Sequence, residues 1–516
     1  MITDRFDRSA ETAPERLFVK GGEAAFTYGE AAGMSHAIAA GLVAEGLAGP
    51  GTTGHVGLLA PNDPLALIAL IGVVRTGTPY VPLAATDADP ALAGFMDTAD
   101  VEVLICHPAL ADRVEALSRL HPRLRAVVGF HAPLEPGGAT LAGWLADHAG
   151  ARHDHRAAPD DVALIKASGG TTGAPKAILQ THRALECAYR TLNRYAAPQT
   201  DDPVHLVVAP LTHAAGASTL AFAEFAATNV LAGARAPEAI LAQMEEARVS
   251  HIFLPPTVIY RLLAQPEAAT RDLSALECIV YGAAPMSADK LAEGLRLWGP
   301  VFLQAYGQSE APGLVSVLSR RDHLIAPGAD DAPLRSAGRP TGACEVALMD
   351  DAGNILPDGE AGEIVLKGDL VTPGYYKNDE ANEEAHRFGW HHTGDIGRFD
   401  RDGFLYIVDR KKDMIISGGF NVYPSEIEQV IWGHGAVQDC AVVGVADEDW
   451  GELVTAVVEL KPGAAADEAE IIALCRARLG PVKSPKRVLF WEALPRSPVG
   501  KVLKKDIRAR LNGGAG

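Results

Sequence analysis

The sequence predicts an α/β protein with a large N-terminal domain of layered sheets and helices, a β-rich subdomain and a small α+β C-terminal domain. Three observations predict this class: the chain length, an alternation of strand-like and helical segments, and a change of pattern beyond Gly338. At 516 residues the chain is too long for a single hydrophobic core. We therefore expect two domains, at residues 1–410 and 411–516.

Short apolar runs bounded by turns predict buried strands, and Ala- and Leu-rich segments with helical spacing separate most of them. Such alternation is typical of α/β layers around largely parallel sheets. Val114–Leu120 and Ala236–Ala247 are two of the predicted helices. The predicted strands are Val56–Ala60, Val101–Cys106, Arg125–Val128, Val162–Lys166, Val204–Ala209, His251–Leu254 and Cys278–Tyr281.

Beyond Gly338, short strand-and-turn segments such as GEIVLKG and GFLYIVDR predict the β-rich subdomain. A boundary near Arg410–Asp413 precedes a unit of a size that folds as one small α+β domain. Its predicted elements are a helix from Ser425, strands Gln438–Val445 and Leu453–Leu460, a helix Asp467–Leu479 and a tail to Lys505.

Composition limits the partners and the compartment. An excess of acidic over basic residues gives a net charge of −19, which argues against nucleic acid and anionic membranes as main partners. The N-terminus has no signal-peptide core, and the apolar segment Leu65–Val74 is too short for a membrane span and is interpreted as a core helix. The six scattered cysteines indicate small buried residues, not disulfides or zinc ligands. We expect a cytoplasmic protein with no integral membrane segment.

A Gly- and Thr-rich loop follows the predicted strand VALIKAS. Its glycines allow a tight turn that aims N–H groups at an anion, and its hydroxyls and lysine suit a polyphosphate. The spacing does not fit Walker A, because Ala174 stands where the second glycine belongs. A simple turn between strand and helix is the alternative interpretation. The candidate residues are Ser168, Gly169, Gly170, Thr171, Thr172, Gly173 and Lys176.

Two shorter motif matches are interpreted as chance. The glycines at 49, 51 and 54 have dinucleotide-fingerprint spacing, but they follow a helical stretch and open a strand, which is the wrong order. Ser287 and Lys290 match one fragment of a serine β-lactamase signature without its other parts.

Five further motifs follow the loop along the chain: GAAP at 282–285, YGQSE at 306–310, WHHTGD at 390–395, DRKKD at 409–413 with SGGFNVYPSEIE behind it, and PRSPVGK at 495–501. With the loop, they resemble the adenylate-forming (ANL) superfamily of acyl-CoA synthetases, non-ribosomal adenylation domains and beetle luciferases. The resemblance spans nearly the whole chain. Three positions depart from the usual pattern: Ser309 replaces Thr, Ala177 replaces Gly, and Gly169 stands where many members have Ser or Thr.

The resemblance implies ATP-dependent activation of a carboxylic acid as an acyl-adenylate. It implies that Lys501 bridges the carboxylate and α-phosphate oxygens, Ser309 hydrogen-bonds the α-phosphate and Glu310 holds Mg²⁺. Asp395 would accept both ribose hydroxyls, and Arg410 would contact ribose or phosphate. The alternatives are a solvated lysine in a basic tail and turn-stabilising acids. The other implied nucleotide-binding residues are Gly282, Ala283, Ala284, Pro285, Tyr306, Gly307 and Gln308.

The resemblance also implies a second step in which coenzyme A takes the acyl group. The small domain would rotate about Lys412, so that Lys501 leaves and the glycines Gly418 and Gly419 approach the pantetheine arm. Trp450 would pack on the CoA adenine or, alternatively, only against protein. The expected cosubstrates and ions are ATP, Mg²⁺ and coenzyme A. A homodimer and a lysine acetyltransferase that modifies Lys501 are partner hypotheses.

The segment from Pro210 to Gly216 resembles the acyl-pocket motif, with His213 as an aromatic gate beside the carboxylate. A purely structural histidine is the alternative. Residues 210–222 contain no Asp or Glu to pair a substrate ammonium and no Arg or Lys to pair a second carboxylate. We therefore expect an apolar monocarboxylic acid, aromatic or aliphatic.

Three functions compete with acid–CoA ligation. A stand-alone enzyme that loads a carrier-protein thiol shares the first step, although no carrier domain is fused to this chain. A luciferase-like monooxygenase has no specific support in the sequence. A non-catalytic nucleotide sensor is disfavoured by intact Lys501, Glu310 and Asp395.

Overall fold

Local signals determine where two early helices begin. Thr27 and Glu30 form a capping box, in which each side chain accepts a hydrogen bond from the main-chain N–H of the other. Asp63 caps the next helix by accepting from the N–H of Leu65, and Pro64 occupies the first helical turn. That helix is buried along its whole length, which confirms the interpretation of this apolar segment as a core helix.

The protein is represented by a computed structural model that describes residues 1–153, 155–168, 175–212, 214–325, 332–447, 449–496 and 502–512. Its helices are α1 (Asp4–Thr12), α2 (Tyr28–Ala44), α3 (Pro64–Arg75), α4 (Asp89–Thr98), α5 (Val114–Leu120), α6 (Leu141–Asp147), α7 (His182–Tyr195), α8 (Ala214–Phe222), α9 (Pro237–Glu246), α10 (Pro256–Leu263), α11 (Ala288–Trp298), α12 (Asp379–Ala385), α13 (Pro424–Trp432), α14 (Glu468–Leu479) and α15 (Lys504–Asn512).

The strands are β1 (Leu17–Gly21), β2 (Ala24–Thr27), β3 (His55–Leu59), β4 (Tyr80–Leu83), β5 (Val101–Cys106), β6 (Ala126–Gly129), β7 (Val162–Ala167), β8 (Ala177–Thr181), β9 (Val204–Val207), β10 (Thr228–Leu231), β11 (His251–Leu254), β12 (Cys278–Gly282), β13 (Phe302–Gln308), β14 (Ala311–Leu318), β15 (Arg339–Pro340), β16 (Glu345–Met349), β17 (Ala361–Lys367), β18 (Gly374–Tyr375), β19 (His391–Phe399), β20 (Leu405–Arg410), β21 (Ile415–Ser417), β22 (Phe420–Val422), β23 (Val437–Asp447), β24 (Gly451–Leu460) and β25 (Arg487–Phe490).

Two large sheets form most of the N-terminal part. The first has the order β15-β14-β13-β12-β11-β9-β10-β1-β2, and its strands from β13 to β1 run parallel. The second has the order β18-β8-β7-β4-β3-β5-β6, with parallel pairing from β7 to β6. Antiparallel strands are added at their edges. The α/β class with largely parallel sheets is therefore confirmed.

The β-rich subdomain is a four-stranded antiparallel sheet in the order β16-β17-β19-β20. The C-terminal sheet has the order β22-β21-β24-β23, and β25 pairs with β24 in parallel. The strands predicted from sequence are present with small shifts at their ends. The predicted tail was incomplete, because it contains β25 and α15. Helix α15 has a polar sequence and buries only Ile507 fully, so packing against β23, not helical periodicity, stabilises it.

Separate apolar cores support the two parts of the chain. The largest cluster joins residues of both large sheets with helices α2, α3, α7 and α8. The clusters around the C-terminal sheet contain only residues from Ile415 onward. The domain boundary between residues 410 and 411 stays a prediction that these separate cores support. All six cysteines are buried and free. No helix in the described ranges combines the length and apolar character that crossing a membrane requires.

Candidate nucleotide and acyl-acid site

The phosphate-loop residues 168 and 176 lie at the facing ends of the antiparallel strands β7 and β8. The N–H of Ser168 donates to the carbonyl of Lys176 at 2.8 Å, and the N–H of Lys176 donates to Oγ of Ser168 at 3.0 Å. These bonds close the base of the loop. The predicted loop residues Gly169, Gly170, Thr171, Thr172 and Gly173 lie outside the described residues. The loop is followed by a strand and not by a helix, which agrees with the rejection of Walker A.

Glu310 lies in the turn between β13 and β14, where the YGQSE motif ends. The hydroxyl of Tyr375 donates to Oε1 of Glu310 at 3.0 Å, and Lys176 Nζ lies 4.7 Å from the centroid of the Tyr375 ring. Burial and the negative charge of Glu310 raise the pKa of Tyr375, so its hydroxyl stays a donor. The side chain of Gln180 donates to the carbonyl of Ser309 at 2.8 Å. The structure therefore brings Lys176 and Glu310 into contact with the same tyrosine, one at its ring and the other at its hydroxyl.

Lys166 also faces this cluster, although the sequence analysis did not single it out. In the strand register, Lys166 pairs with Ile178, and Ile178 pairs with Tyr375, so the three side chains share one face of the sheet. Burial lowers the pKa of Lys166, and the charge of Glu310 opposes that effect. A charged lysine within the apolar strand VALIKA was the sequence signal that could have identified Lys166 as a site residue. Tyr375 and Gln180 had no comparable signal in the sequence.

The predicted ribose end lies where three strands of two sheets meet. Asp395 on β19 is 3% exposed, and it pairs in register with Arg410 on β20. The Tyr306 hydroxyl, from β13, donates to Oδ2 of Asp395 at 2.7 Å, and Arg410 Nε lies 2.6 Å from Oδ1. Burial and the charge of Asp395 raise the pKa of Tyr306 well above its ordinary value. A buried carboxylate whose two oxygens each contact a protein side chain is held in one orientation, and it can orient a polar ligand such as a diol.

Gln308 and Gly307 continue the same strand beyond Tyr306. The Gln308 side chain lies 3.0 Å from Nε2 of His391, whose pKa burial lowers to about 4, so this histidine is neutral near pH 7. A Cβ atom at Gly307 would lie 2.2 Å from the carbonyl oxygen of Gly313, so only glycine allows this approach of the two strands. Gly307 of the YGQSE motif therefore also allows the close packing of β13 and β14.

The predicted adenine-side loop begins where β12 ends, beside β13. A Cβ atom at Gly282 would lie 2.3 Å from the carbonyl oxygen of Ala305, which explains the glycine. Ala283 has a φ of 65°, a left-handed conformation that costs a non-glycine residue ~1 kcal/mol. Ala283 and Pro285 are exposed and Ala284 is partly exposed. The loop therefore forms an accessible edge at the carboxyl ends of two parallel strands, a usual ligand-binding position.

The acyl-pocket segment follows β9, and Asn62 holds it. Asn62 Nδ2 donates to the carbonyl of Ala209 at 3.0 Å, and the N–H of Leu211 donates to Oδ1 of Asn62 at 2.9 Å. A Cβ atom at Gly216 would lie 1.8 Å from the carbonyl oxygen of Leu211, so α8 packs directly on this segment. The predicted gate, His213, lies outside the described residues.

The predicted pivot Lys412 lies between two residues that form ion pairs, one with the N-terminal part of the chain and one with the C-terminal part. Lys411 Nζ lies 3.1 Å from Oε2 of Glu363 in the β-rich subdomain. Arg508, on the C-terminal helix α15, lies 2.5 Å from Oδ1 of Asp413. The residue before Lys412 is therefore attached to the N-terminal part, and the residue after it is attached to the C-terminal part.

Glu363 connects this hinge with the ribose motif. Its Oε1 accepts from the N–H of Gly394 at 3.1 Å, and its Oε2 lies 3.0 Å from Nδ1 of His392. Burial opposes ionisation of Glu363, but the bonds from His392 and Lys411 outweigh it and lower the pKa of Glu363. Sequence reasoning missed Glu363, since it stands in an ordinary strand between the motifs.

The two predicted thiol-side features lie together. Gly418 and Gly419 form the turn between β21 and β22 with φ values of 57° and 81°, which favour glycine. The N–H of Gly418 donates to the carbonyl of Trp450 at 2.8 Å. Trp450 is 42% exposed, and Lys486 Nζ lies 5.1 Å from its ring centroid. Lys501, which is the catalytic residue predicted in this domain, lies outside the described residues.

Comparison with known families agrees with this geometry. The model of the AMP-binding enzyme family matches residues 6–376, and the model of the AMP-binding enzyme C-terminal domain matches residues 426–501. The chain belongs to the AMP-binding enzyme family. The resemblance to adenylate-forming acyl-CoA synthetases is therefore confirmed.

Relatives of this AMP-binding enzyme include feruloyl-CoA synthase from Amycolatopsis sp, 36% identical over 98% of both chains. Medium/long-chain-fatty-acid–CoA ligase FadD8 from Mycobacterium tuberculosis is 41% identical over 69% of this chain, and the match spans 63% of that relative. Among solved structures, the amide bond synthetase McbA from Marinactinospora thermotolerans is 28% identical, with a TM-score of 0.88 over 99% of this chain and 100% of that one. These likenesses cover both parts of the AMP-binding enzyme.

Proposed function

We propose that this AMP-binding enzyme is an ATP-dependent carboxylic acid–CoA ligase. The observation that carries the proposal is the buried Asp395 carboxylate, held by Tyr306 and Arg410 at the end of the site where a ribose would lie. Glu310 and Lys176 lie beside Tyr375 at the phosphate end of the same site. A candidate diol-binding carboxylate bonded to Tyr306 of β13, and a candidate phosphate-binding group in the turn that follows β13, support a nucleotide as the first ligand.

In the first step the substrate carboxylate forms a bond to the α-phosphorus of ATP, and pyrophosphate leaves with the electron pair of the broken P–O bond. No enzyme nucleophile is needed, so the residues position groups and neutralise charge. Asp395 and Arg410 would hold the ribose, while Ser309 and Lys176 would contact phosphate oxygens. Lys501 would bridge the two reacting anions.

The donor set around Glu310 fits Mg²⁺. One carboxylate oxygen accepts from Tyr375, and the second remains available to a hard cation. No group of three His, Cys, Asp or Glu side chains suited to a metal occurs in the described ranges, which agrees with a cation held largely by phosphates and water. Bound there, Mg²⁺ would neutralise charge on the phosphates.

In the second step the sulfur of coenzyme A forms a bond to the acyl carbon, the anhydride C–O bond breaks, and AMP leaves while the thiol releases its proton to solvent. The small domain would rotate about Lys412 and bring Gly418 and Gly419 to the pantetheine arm. The exposed ring of Trp450, beside Lys486, would bind the adenine of coenzyme A.

The substrate class we propose is an apolar aromatic or aliphatic monocarboxylic acid. Residues 210–222 carry no charged side chain that would select an ammonium or a second carboxylate. Relatives named as a feruloyl-CoA synthase and a medium/long-chain-fatty-acid–CoA ligase support this class.

A second candidate shares the first step but uses an amine as acyl acceptor. The likeness to an amide bond synthetase over nearly the whole chain favours it as the alternative. Loading of a carrier-protein thiol differs from both only in the acceptor.

The deciding experiment is pyrophosphate release from ATP and Mg²⁺ with a panel of aryl, alicyclic and fatty acids. Parallel reactions contain no acceptor, coenzyme A or benzylamine. Continued acid-dependent turnover only with coenzyme A supports the ligase, and turnover only with benzylamine supports the amide synthetase. A single equivalent of pyrophosphate in every arm points to a carrier-protein thiol. No acid-dependent release overturns the proposal.

Lys501→Ala tests the catalytic lysine in the same assay. We expect a far larger loss in adenylate formation than in thioester formation from supplied acyl-AMP, because its charge bridges the reactants only in the first step. Equal losses would refute this role.

Acetylation of Lys501, which removes that charge, is a further proposal that mass spectrometry of native protein tests.

A further inference from the structure

The side chain of Asn62 bonds to the main chain on both sides of Pro210. Its Nδ2 donates to the carbonyl of Ala209 at 3.0 Å, and its Oδ1 accepts from the N–H of Leu211 at 2.9 Å. The two bonds span 147 and 149 residues of sequence, so they attach the segment to a distant part of the fold. One amide thus satisfies both a donor and an acceptor of a segment that lies beyond the end of β9.

The segment also has little room to move inward. A recess beneath Leu211 and Thr212 is lined by apolar residues of β3, α3 and the loop between them, including Ala60, Pro61 and Leu67. Its free volume of about 10 Å³ is no larger than one water molecule occupies. Apolar contacts of Leu211 and Thr212 and the two hydrogen bonds of Asn62 therefore both hold this segment in place.

The chain contains a second asparagine with the same bonding pattern at the phosphate end. Asn382 Nδ2 donates to the carbonyl of Tyr375 at 2.9 Å, and its Oδ1 accepts from the N–H of Tyr375 at 2.6 Å. Tyr375 in turn donates to Glu310. Asn382 therefore supports the phosphate end as Asn62 supports the acyl-pocket segment, and the two form a matched pair.

We infer that Asn62 is a positioning residue for the carboxylic acid pocket, which sets acid affinity and selectivity by holding the segment that leads into His213. This inference rests on the proposed acid activation. Asn62 acts through main-chain atoms of Ala209 and Leu211, so it would affect binding of the acid and leave binding of ATP unchanged.

The test compares Asn62→Ala with Asn382→Ala in acid-dependent pyrophosphate release. For Asn62→Ala we expect KM for the acid to rise about tenfold, with a broader acid profile and an unchanged KM for ATP, since both hydrogen bonds to the main chain of the segment are lost. Asn382→Ala should affect the other substrate, so that KM for ATP rises and KM for the acid stays unchanged. Melting temperatures of both variants report any general loss of folding.

Asn62→Asp separates the two bonds, because it retains the acceptor for Leu211 and loses the donor to Ala209. We expect an intermediate rise in KM for the acid, and this variant decides the question if Asn62→Ala does not fold. An unchanged KM for the acid, or equal rises for acid and ATP, would overturn the inference. Inactive wild-type protein would instead overturn the proposed function, so the two failures are distinguishable.

Discussion

The predicted ribose end and the predicted thiol end of this AMP-binding enzyme are built in different ways. At the predicted ribose end, Asp395 is buried on a strand and is bonded by side chains from the neighbouring strand β20 and from β13 of another sheet. At the thiol end, Gly418 and Gly419 lie in a turn, and Trp450 is largely open to solvent. One main-chain hydrogen bond joins that turn to Trp450.

Under the proposed function, the groups that would bind ATP are held more rigidly than the groups that would bind the acceptor. Side chains on paired strands keep a fixed geometry, which suits a ligand such as ATP that is the same in every turnover. Turns and exposed rings tolerate changes of partner and of position, which would suit an acceptor that enters after the proposed domain rotation. Substitutions at the ribose end should therefore have larger effects than substitutions at the thiol end.

Asp395→Ala should have the largest effect. The change removes an ionised acceptor and leaves Tyr306 and Arg410 without their carboxylate, so KM for ATP should rise at least about 100-fold. Initial rates of pyrophosphate release against ATP concentration measure it. Asp395→Asn, which retains one acceptor, should lose less. A rise below about fivefold would place the ribose elsewhere.

Lys412→Pro should have the next largest effect and should separate the two half-reactions. Proline fixes φ at the predicted pivot, so thioester formation from supplied acyl-AMP should fall roughly 30-fold while adenylate formation is retained. Lys412→Ala is the control, because it removes the side chain and leaves φ free. Equal thioester rates in both variants would move the pivot away from Lys412.

Tyr306→Phe should have a moderate effect, because it removes one hydrogen bond to a buried carboxylate and leaves Asp395 and Arg410 in place. We expect KM for ATP to rise about tenfold. Tyr406→Phe is the matched control, since its hydroxyl also bonds an aspartate, Asp400, at 3.1 Å, but at the turn that precedes β20. Similar KM values for the two variants would contradict the assignment of the ribose end.

Trp450→Ala should have the smallest effect. An exposed aromatic ring beside a cation contributes ~0.5–1 kcal/mol, so KM for coenzyme A should rise about two- to fivefold and KM for ATP should not change. Trp491→Ala is the control, because Trp491 also carries a cation over its ring, Arg510 at 4.3 Å, in the same domain. A larger rise in KM for coenzyme A in Trp491→Ala than in Trp450→Ala would support the alternative that Trp450 only packs against protein.

Sequence reasoning predicted the fold class and most elements because their signals are local. The all-apolar α3 and the buried strands near Val101 and Cys278 each show their type within a few residues. The terminal helix α15 was missed because its sequence is polar, and only contact with β23 stabilises it.

At the site, the motifs identified Tyr306, Asp395 and Arg410 individually, and the structure brings them together. The residues that hold the site carried little or no motif signal. Tyr375 supports Glu310 across 65 residues, and Asn62 supports the acyl-pocket segment across 147. Their partners depend on how sheets and loops meet, which no local pattern encodes.

The sequence by itself determined the class of chemistry, since each motif collects glycines, hydroxyls and charges within a short stretch of chain. Only the tertiary structure decided which groups support them: Glu363 bonds Lys411 across 48 residues, and Asn62 bonds the acyl-pocket segment across 147. The physical reason is that a binding group is a property of a few adjacent residues, whereas its orientation depends on strand register and on contacts between elements distant in sequence.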